Sequence, residues 1–525
     1  MNAWSRTFSP PATEAMKTSR HNFGALLAVI ICVIFLLPGC GSSAPTGAAL
    51  SPIGGSRELP VRLLGLQAVP LYEHLIDNPA KVAIAQEMAP AFVRFPGGMV
   101  ANYYNWHSGQ LELTVQSNSS ATYKFYAYVA EQIKQLHPEG VFIEDYHEFS
   151  QAVGAEIVLV ANLETSSIAD QVEWFQKMND QGILPRYLEL GNEFYLAMLG
   201  DPNVLEIWPD APTTMQVSKE YRNALQPCFV TGTEVAVQAA ASRFYATNTA
   251  GNLVAPAVLK KWDNALRPEP WFDAVTIHLY PQVDTIAGAG SRQTLPDNMD
   301  TVLSSAMARC DQGVDEAISA VERQLPGKEI WITEWSGYSW GGAEASNQTW
   351  PIFGLYVHLT TRMLMTFLRH PSVTMTEYHM LNFSGGPMSL YRYDSQSQSY
   401  VPISSAVILK WFNQAANGGA TYQRLKVDGA NWVSSSTTAE EGYYDIEAVQ
   451  FQKGNAATII IHNCSSETKT VSLTGIVPDR LPTVIESALV NPTANYSSTA
   501  PPVTELPVAN QVEIPAYSVT RIIWE

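Results

Sequence analysis

Two glutamates stand where apolar runs of strand character end. The run RYLEL passes into Gly191-Asn192-Glu193, and the run EIWIT passes into Glu334-Trp335. A pair of carboxyl groups sharing one pocket is what hydrolysis of a glycosidic bond requires. One acid protonates the leaving oxygen, and a second carboxylate attacks the sugar carbon. Taken singly, a Glu that follows a strand is most simply a solvated loop residue, so the chemistry depends on whether the fold brings these two together. The competing chemistries lack their residues. No HExxH or CxxC occurs, so a zinc centre has no sequence support. Neither GxGxxG nor GxxxxGK[ST] is present, which leaves no nucleotide-phosphate loop.

The elements that must position the pair alternate along the chain. RLLGLQAV, AFVRF, EIVLVANL, RYLELGN, FVTGTEVAV, WFDAVTIHLY, KEIWITEW and SVTMTEYHMLN read as strands. Amphipathic segments such as NPAKVAIAQEMAP, IADQVEWFQKMNDQG and DQGVDEAISAVERQLPG read as the helices between them. Strand–helix alternation implies parallel pairing through crossover helices, and eight strands are the number that closes a (β/α)8 TIM barrel. An open doubly wound sheet is the alternative. Glu193 would then close the fourth strand and Glu334 the seventh, opposite each other across the barrel mouth. From about Ala416 the helical spacing disappears, and short β-rich runs separated by Gly, Asn, Ser and Pro follow to the end, as in an all-β sandwich. The organisation read from the sequence is a signal over residues 1–39 and a lipidated Cys with a flexible tether over 40–60. A catalytic barrel over 61–415 and a β-sandwich over 416–525 complete it. Ala48 to Pro60 could add an edge strand to the sandwich.

RFPGGMVANYYNW, LELGNE, VTIHLYP and IWITEW, in this order and on these strands, resemble the clan of retaining glycoside hydrolases built on (β/α)8 barrels. Within it, RFPGG…YNW and LGNE are most similar to α-L-arabinofuranosidases. The trailing β-domain ending in PAYSV suits these and also the heparanase and β-glucuronidase group, and Gly341-Gly342 favours the latter group. The resemblance implies that Glu193 is the acid/base and Glu334 the nucleophile. Asn192 would bond the hydroxyl next to the reacting carbon. Arg94 would keep Glu334 ionised, Tyr280 would donate to Glu334, and His278 would line the same wall. Glu193 must hold a proton at rest, so its surroundings should differ from those of Glu334. The pattern departs from arabinofuranosidases at two places. Met99 stands where Asn follows the PGG, and Gln67 stands where the first strand offers a Glu to the sugar. Both concern sugar recognition, not the reacting pair. No metal or organic cofactor is implied.

Other polar and aromatic residues admit plainer roles. Trp106, Trp335 and Trp340 are core residues or sugar-stacking walls. Glu377 and His379 alternate with Tyr378 on the last strand, so one set faces the barrel interior. Glu144, Asp145, His147 and Glu148 look like metal ligands but have the spacing of a solvated helix. Asn118, Asn347 and Asn495 begin N-x-[ST] sequons, which would carry no meaning if the bacterial-type signal that the N-terminus resembles is one.

The N-terminus reads as an address. Phe23 to Leu37 is a 15-residue apolar run preceded by Lys17, Arg20 and His21 and followed by Leu-Pro-Gly-Cys ending at Cys40. It is shorter than the about 20 residues a spanning helix needs. A basic flank, an apolar core and small residues describe a secretory signal, and the LPGC ending resembles a bacterial lipobox with Cys40 as the lipidated residue. Met16 is an alternative start; an N-terminal anchor helix is the alternative reading. The resemblance implies export and attachment to a bacterial membrane through acyl chains on Cys40. Beyond the signal, Cys228, Cys310 and Cys464 allow at most one disulfide. In 525 residues, 31 Lys and Arg face 49 Asp and Glu, a net charge of −18 that repels nucleic acid. The expected partner is a carbohydrate substrate. A non-catalytic carbohydrate-binding surface lipoprotein is the reading from another class, and the presence of both glutamates argues against it.

Overall fold

The computed structural model describes residues 47–113, 121–195, 208, 210–240, 256–281, 299–337, 353–382, 388–435, 441–477 and 480–525. Cys40 and the apolar N-terminal run lie outside them, as do Asn118, Trp340, Gly341, Gly342 and Asn347.

Eight parallel strands close a barrel in chain order: β1 (Leu64–Gln67), β2 (Phe92–Phe95), β3 (Glu156–Ala161), β4 (Tyr187–Leu190), β5 (Glu234–Gln238), β6 (Ala274–Leu279), β7 (Glu329–Trp335) and β8 (Val373–His379). Almost every strand residue is buried, because one face meets the barrel interior and the other the helices. The crossover helices start where the sequence supplies caps. Asn78, Ser167 and Asp210 each accept backbone N–H groups of the helix that follows, which satisfies donors the first turn leaves open.

The barrel interior is layered. Near the N-terminal ends of the strands, Phe92, Val158, Ala236, Ala274, Trp331 and Met375 pack with Tyr187 into an apolar plug. Two residues further along, on the same face of each strand, the side chains are charged: Phe92 gives way to Arg94, Tyr187 to Glu189 and Met375 to Glu377. Strand β7 reaches this layer by a break in register. Trp331 pairs with Thr276 and Glu334 with His278, so three steps on β7 match two on β6. Simple alternation from Trp331 would turn Glu334 outward. The bulge turns it inward and sends Trp335 to the helix layer.

The chain after the barrel forms a nine-stranded sheet. The strand order is Val503–Glu505, Val484–Leu489, Ser518–Trp524, Ala456–Asn463, Ile446–Lys453, Thr421–Val427, Ala48–Glu58, Lys469–Ser472 and Gln511–Ile514. Side chains from both ends of this order, Val471, Val512 and Ile514 with Leu425, Ile459, Ile461 and Ile522, share one core, so the sheet folds over on itself as a sandwich. The alternate face, with Val449, Phe451, Ile460 and Val519, joins the barrel's hydrophobic core. The helix Phe353–Phe367 between them is buried on all sides. Its Arg362 and the following Arg369 pair with Asp311 and Glu447, forming an ion cluster between the two parts.

One expectation is corrected here. Ala48–Glu58, assigned from its composition mainly to a flexible tether and at most to a sheet edge, is an interior strand. It pairs antiparallel with Thr421–Val427 and, at Ala48 and Ala49, parallel with Lys469–Ser472. Its Gly, Pro and Ser residues hide the two-residue period, and pairing on both sides imposes the strand from outside. Cys228, Cys310 and Cys464 are all free and buried. Among the described residues no helix is long and apolar enough to cross a membrane.

Candidate active site

Arg94 organises the site. It is fully buried at the end of β2, and its guanidinium uses every N–H. Nε and Nη2 donate to the two oxygens of Glu189 at 3.0 and 2.6 Å, Nη2 also to Asn192 Oδ1 at 2.9 Å, and Nη1 to Glu334 Oε1 at 2.8 Å. The last N–H goes to Gln67, whose amide, oriented by its neighbours, accepts from Arg94 Nη1 and Gly98 N at 3.0 Å each and donates to His379 Nδ1. A cation held in this fork geometry fixes carboxylates in direction as well as in charge.

The backbone after Arg94 explains the double glycine. Gly97 and Gly98 have φ of +83° and +63°, and a Cβ on Gly97 would sit 2.8 Å from the Gln67 amide. A Cβ on Gly98 would come within 3.6 Å of Glu334 Oε1. The left-handed backbone selects glycine at both positions, and at Gly97 the close approach of the Gln67 amide does so as well. The chain then turns through Met99–Tyr103, where Asn102 brackets Asn192: its Oδ1 accepts from Asn192 N at 3.0 Å, and its Nδ2 donates to Asn192 O at 2.8 Å. Asn192 Nδ2 has no hydrogen-bond partner among the described residues. Glu193 follows with φ of +53°, a left-handed conformation uncommon outside glycine and held here by the packed turn.

Glu193 and Glu334 meet over His278. Its Nδ1 lies 2.7 Å from Glu193 Oε1 and 3.5 Å from Glu334 Oε2, and a carboxylate oxygen from each glutamate lies within 4.8 Å of the other. Tyr280 donates to Glu334 Oε2 at 2.6 Å, and Tyr195 donates to Glu193 Oε1 at 2.9 Å. His278 Nε2 contacts Thr333 Oγ1 at 3.3 Å. His379 Nδ1 stands 4.0 Å from Glu334, with its ring perpendicular to that of Tyr280.

Burial and neighbouring charges compete at the groups around Glu334. Burial opposes ionisation of Glu334, yet His278, His379, the Arg94 guanidinium and the Tyr280 hydroxyl hold its carboxyl well below the usual carboxylate range. Burial likewise opposes the charged form of His278, but the charges of Glu334 and Glu193 raise its pKa. Burial dominates at His379, lowering it to about 4 and leaving the ring neutral. Glu377 is fully buried with both oxygens unpartnered among the described residues, and burial pushes its carboxyl well above the usual range despite Arg94 nearby. Glu193, His278 and Glu334 also have the spacing of a three-ligand cation site. Arg94, paired to Glu334 at 2.8 Å, already supplies positive charge there.

The structure brings Glu193, Glu334, Asn192, Arg94, His278, Tyr280 and Gln67 into this one cluster. It does not bring Trp335. That ring is fully buried, packed edge-on against Phe367 and Tyr378 on the helix side of β7, because the bulge that turns Glu334 inward turns its neighbour outward. Trp335 therefore does not line the site, a correction to the sequence reading. Trp106 is also in the core, stacked with Trp174. The Glu144 cluster lies on a helix, with Glu144 paired to Lys177 at 3.0 Å. Glu189, Asn102 and Tyr195 escaped the sequence reading. Glu189 had a signal, since an acid inside an apolar strand needs a buried partner. Asn102 and Tyr195 had none beyond lying next to the motifs.

The class defined by this architecture is a closed (β/α)8 barrel carrying a second, β-sheet domain. No family model matches the chain, and no curated protein matches it in sequence. Solved structures of the same fold do exist. An arabinofuranosidase of glycoside hydrolase family 51 from Xanthomonas axonopodis pv. citri superposes with a TM-score of 0.62 at 14% identity, covering 91% of this chain and 100% of its own. A family 51 α-L-arabinofuranosidase from Bifidobacterium longum gives 0.62 at 16% identity, with 92% and 100% covered. A family 44 xyloglucanase from Paenibacillus polymyxa gives 0.55 at 12%, with 91% and 99% covered. The expected barrel and β-sandwich are thus the fold of this chain, and it extends over almost the full length of these enzymes.

Proposed function

We propose that the protein is a retaining glycoside hydrolase, most like an α-L-arabinofuranosidase, acting by double displacement. The observation that carries this reading is the separation of the two carboxylates, with one oxygen of each within 4.8 Å of the other. Retaining sites hold their carboxyls about 5–5.5 Å apart, whereas inverting sites need about 6.5–9.5 Å to admit a water between them. Glu334 is the nucleophile, ionised, and aimed by Arg94 and Tyr280. It attacks the anomeric carbon while Glu193 protonates the departing oxygen with a proton drawn from its 2.7 Å contact with His278. The resulting glycosyl ester on Glu334 is hydrolysed by a water that Glu193 deprotonates, returning the proton and retaining configuration. Asn192, its side-chain oxygen tied to Arg94 and its NH2 unpartnered among the described residues, donates that NH2 to the hydroxyl beside the reacting carbon.

Arabinofuranoside is preferred over uronate on two grounds. Several solved structures of the same fold are arabinofuranosidases. Arg94, the guanidinium that holds Glu334 among the described residues, has no N–H left for a sugar carboxylate. A panel of nitrophenyl glycosides tests this: release from the α-L-arabinofuranoside with retained configuration is expected. Turnover of the β-glucuronide alone points to the heparanase-like reading, and turnover of none to a binding protein. The reading includes attachment to a bacterial membrane through Cys40. It predicts that Cys40→Ser leaves the membrane fraction; an unchanged distribution refutes it.

A further inference from the structure

A second cluster of metal-ligand type lies far from the glutamates in the fold, where the barrel meets the β-sheet domain. His358 comes from the helix Phe353–Phe367. His462 and Cys464 stand two residues apart at the end of the strand Ala456–Asn463, a spacing that puts both on one face. All three are buried. His358 Nδ1 is 2.8 Å from His462 Nε2, and Cys464 Sγ is 3.2 Å from that same nitrogen. The three donor atoms lie within 4.8 Å of one another.

We infer that His358, His462 and Cys464 form a binding site for a monovalent soft metal ion, Cu(I). The surroundings are those of a ligand set. His358 Nε2 donates to the Val490 carbonyl at 2.8 Å, which fixes the ring and leaves Nδ1 as the lone-pair nitrogen. Arg362, one helical turn beyond His358, donates to Cys464 Sγ at 3.4 Å and so holds the sulfur in place beside the two rings.

The choice of ion follows from count and charge. Structural zinc takes four ligands, and among the described residues three donors gather here. Thiolate and imidazole suit Cu(I), for which three ligands suffice. Arg362, Arg369 and Arg424 set three positive charges against the two negative ones of Asp311 and Glu447, so the surroundings already carry one positive charge in excess. On binding, the Cys464 S–H bond breaks, the proton leaves to solvent and an S–Cu bond forms, so one monovalent cation replaces another. The His462 proton that bridges to His358 moves from Nε2 to Nδ1, freeing Nε2 to ligate. Zinc would add a further charge to a buried site. The donors must recede from one another by about half an ångström to reach normal metal–ligand lengths.

The test uses the full chain and Cu(I) held by bicinchoninate. Wild type should withdraw one Cu(I) per chain. Cys464→Ser and His462→Gln should withdraw none, while Cys228→Ser and Glu334→Gln, which leave this cluster intact, should withdraw one. X-ray absorption on the copper-loaded wild type should show two nitrogens and one sulfur, a readout independent of whether the variants fold. No uptake by wild type, undiminished uptake by Cys464→Ser, a shell without one sulfur, or Cys464-dependent uptake of zinc in place of copper overturns the assignment.

Discussion

Replacing Arg94 by Met separates what this residue does for the fold from what it does for Glu334. The substitution keeps the apolar stem and removes a guanidinium that is fully buried and bonded to Glu189, Asn192, Gln67 and Glu334. Glu189 and Glu334, at 1% and 5% exposure, then lose their buried cation. Breaking a buried ion pair by deleting one partner costs about 3–5 kcal/mol, roughly two to nearly four decades in the folding equilibrium. The second effect is on ionisation. A hydrogen bond to a charged group is worth about 1.5–3 kcal/mol, so losing Arg94 Nη1–Glu334 should raise the Glu334 carboxyl by about one to two pH units. The sign follows from the depressed pKa. A carboxylate held low in the folded state contributes stability above its unfolded value, near 4.3, and loses it as pH falls toward the folded value. In the variant that contribution shrinks, and the acid limb of kcat/KM moves to higher pH. Urea unfolding followed by tryptophan fluorescence and pH–rate profiles on an aryl glycoside measure the two effects. Adding Glu189→Gln should recover much of the stability, because one buried charge disappears, and only part of the shift. An Arg94→Met protein within about 1 kcal/mol of wild type, with its acid limb unmoved, refutes the reasoning.

Glu334→Ala should abolish turnover, and azide should restore part of it as the glycosyl azide of inverted configuration, identified by NMR; full activity in this variant defeats the nucleophile assignment. Glu193→Gln should slow substrates with poor leaving groups by on the order of 10²–10⁴-fold and nitrophenyl substrates far less, a contrast read from relative kcat/KM values; equal losses on both contradict an acid role. The raised pKa of His278 predicts a stabilising contribution that is full below the ordinary histidine value near 6.5 and fades as pH rises through the raised one. His278→Gln should remove this alkaline loss of stability and displace the alkaline limb of kcat/KM, as seen in melting and rate profiles across pH.

Much of the site could be read before the chain was folded. Strand–helix alternation, eight apolar runs and a glutamate closing two of them depend on local spacing alone. Arg94, Asn192, His278 and Tyr280 likewise lie at strand ends that the sequence marks. The step from the apolar plug to the charged layer is written in the alternation Phe92–Arg94, Tyr187–Glu189 and Met375–Glu377. Other features depend on pairs far apart in the chain. The bulge between Trp331 and Glu334 exists only in register with β6, so the sequence could not say that Glu334 faces inward and Trp335 outward. The strand Ala48–Glu58 takes its conformation from partners that lie after the barrel, and its own residues argue for a loop. The sequence by itself therefore determined which elements form and which side chains they offer at their ends. Tertiary structure decided which of those side chains share a pocket, because barrel closure and strand register set distances that no local propensity encodes.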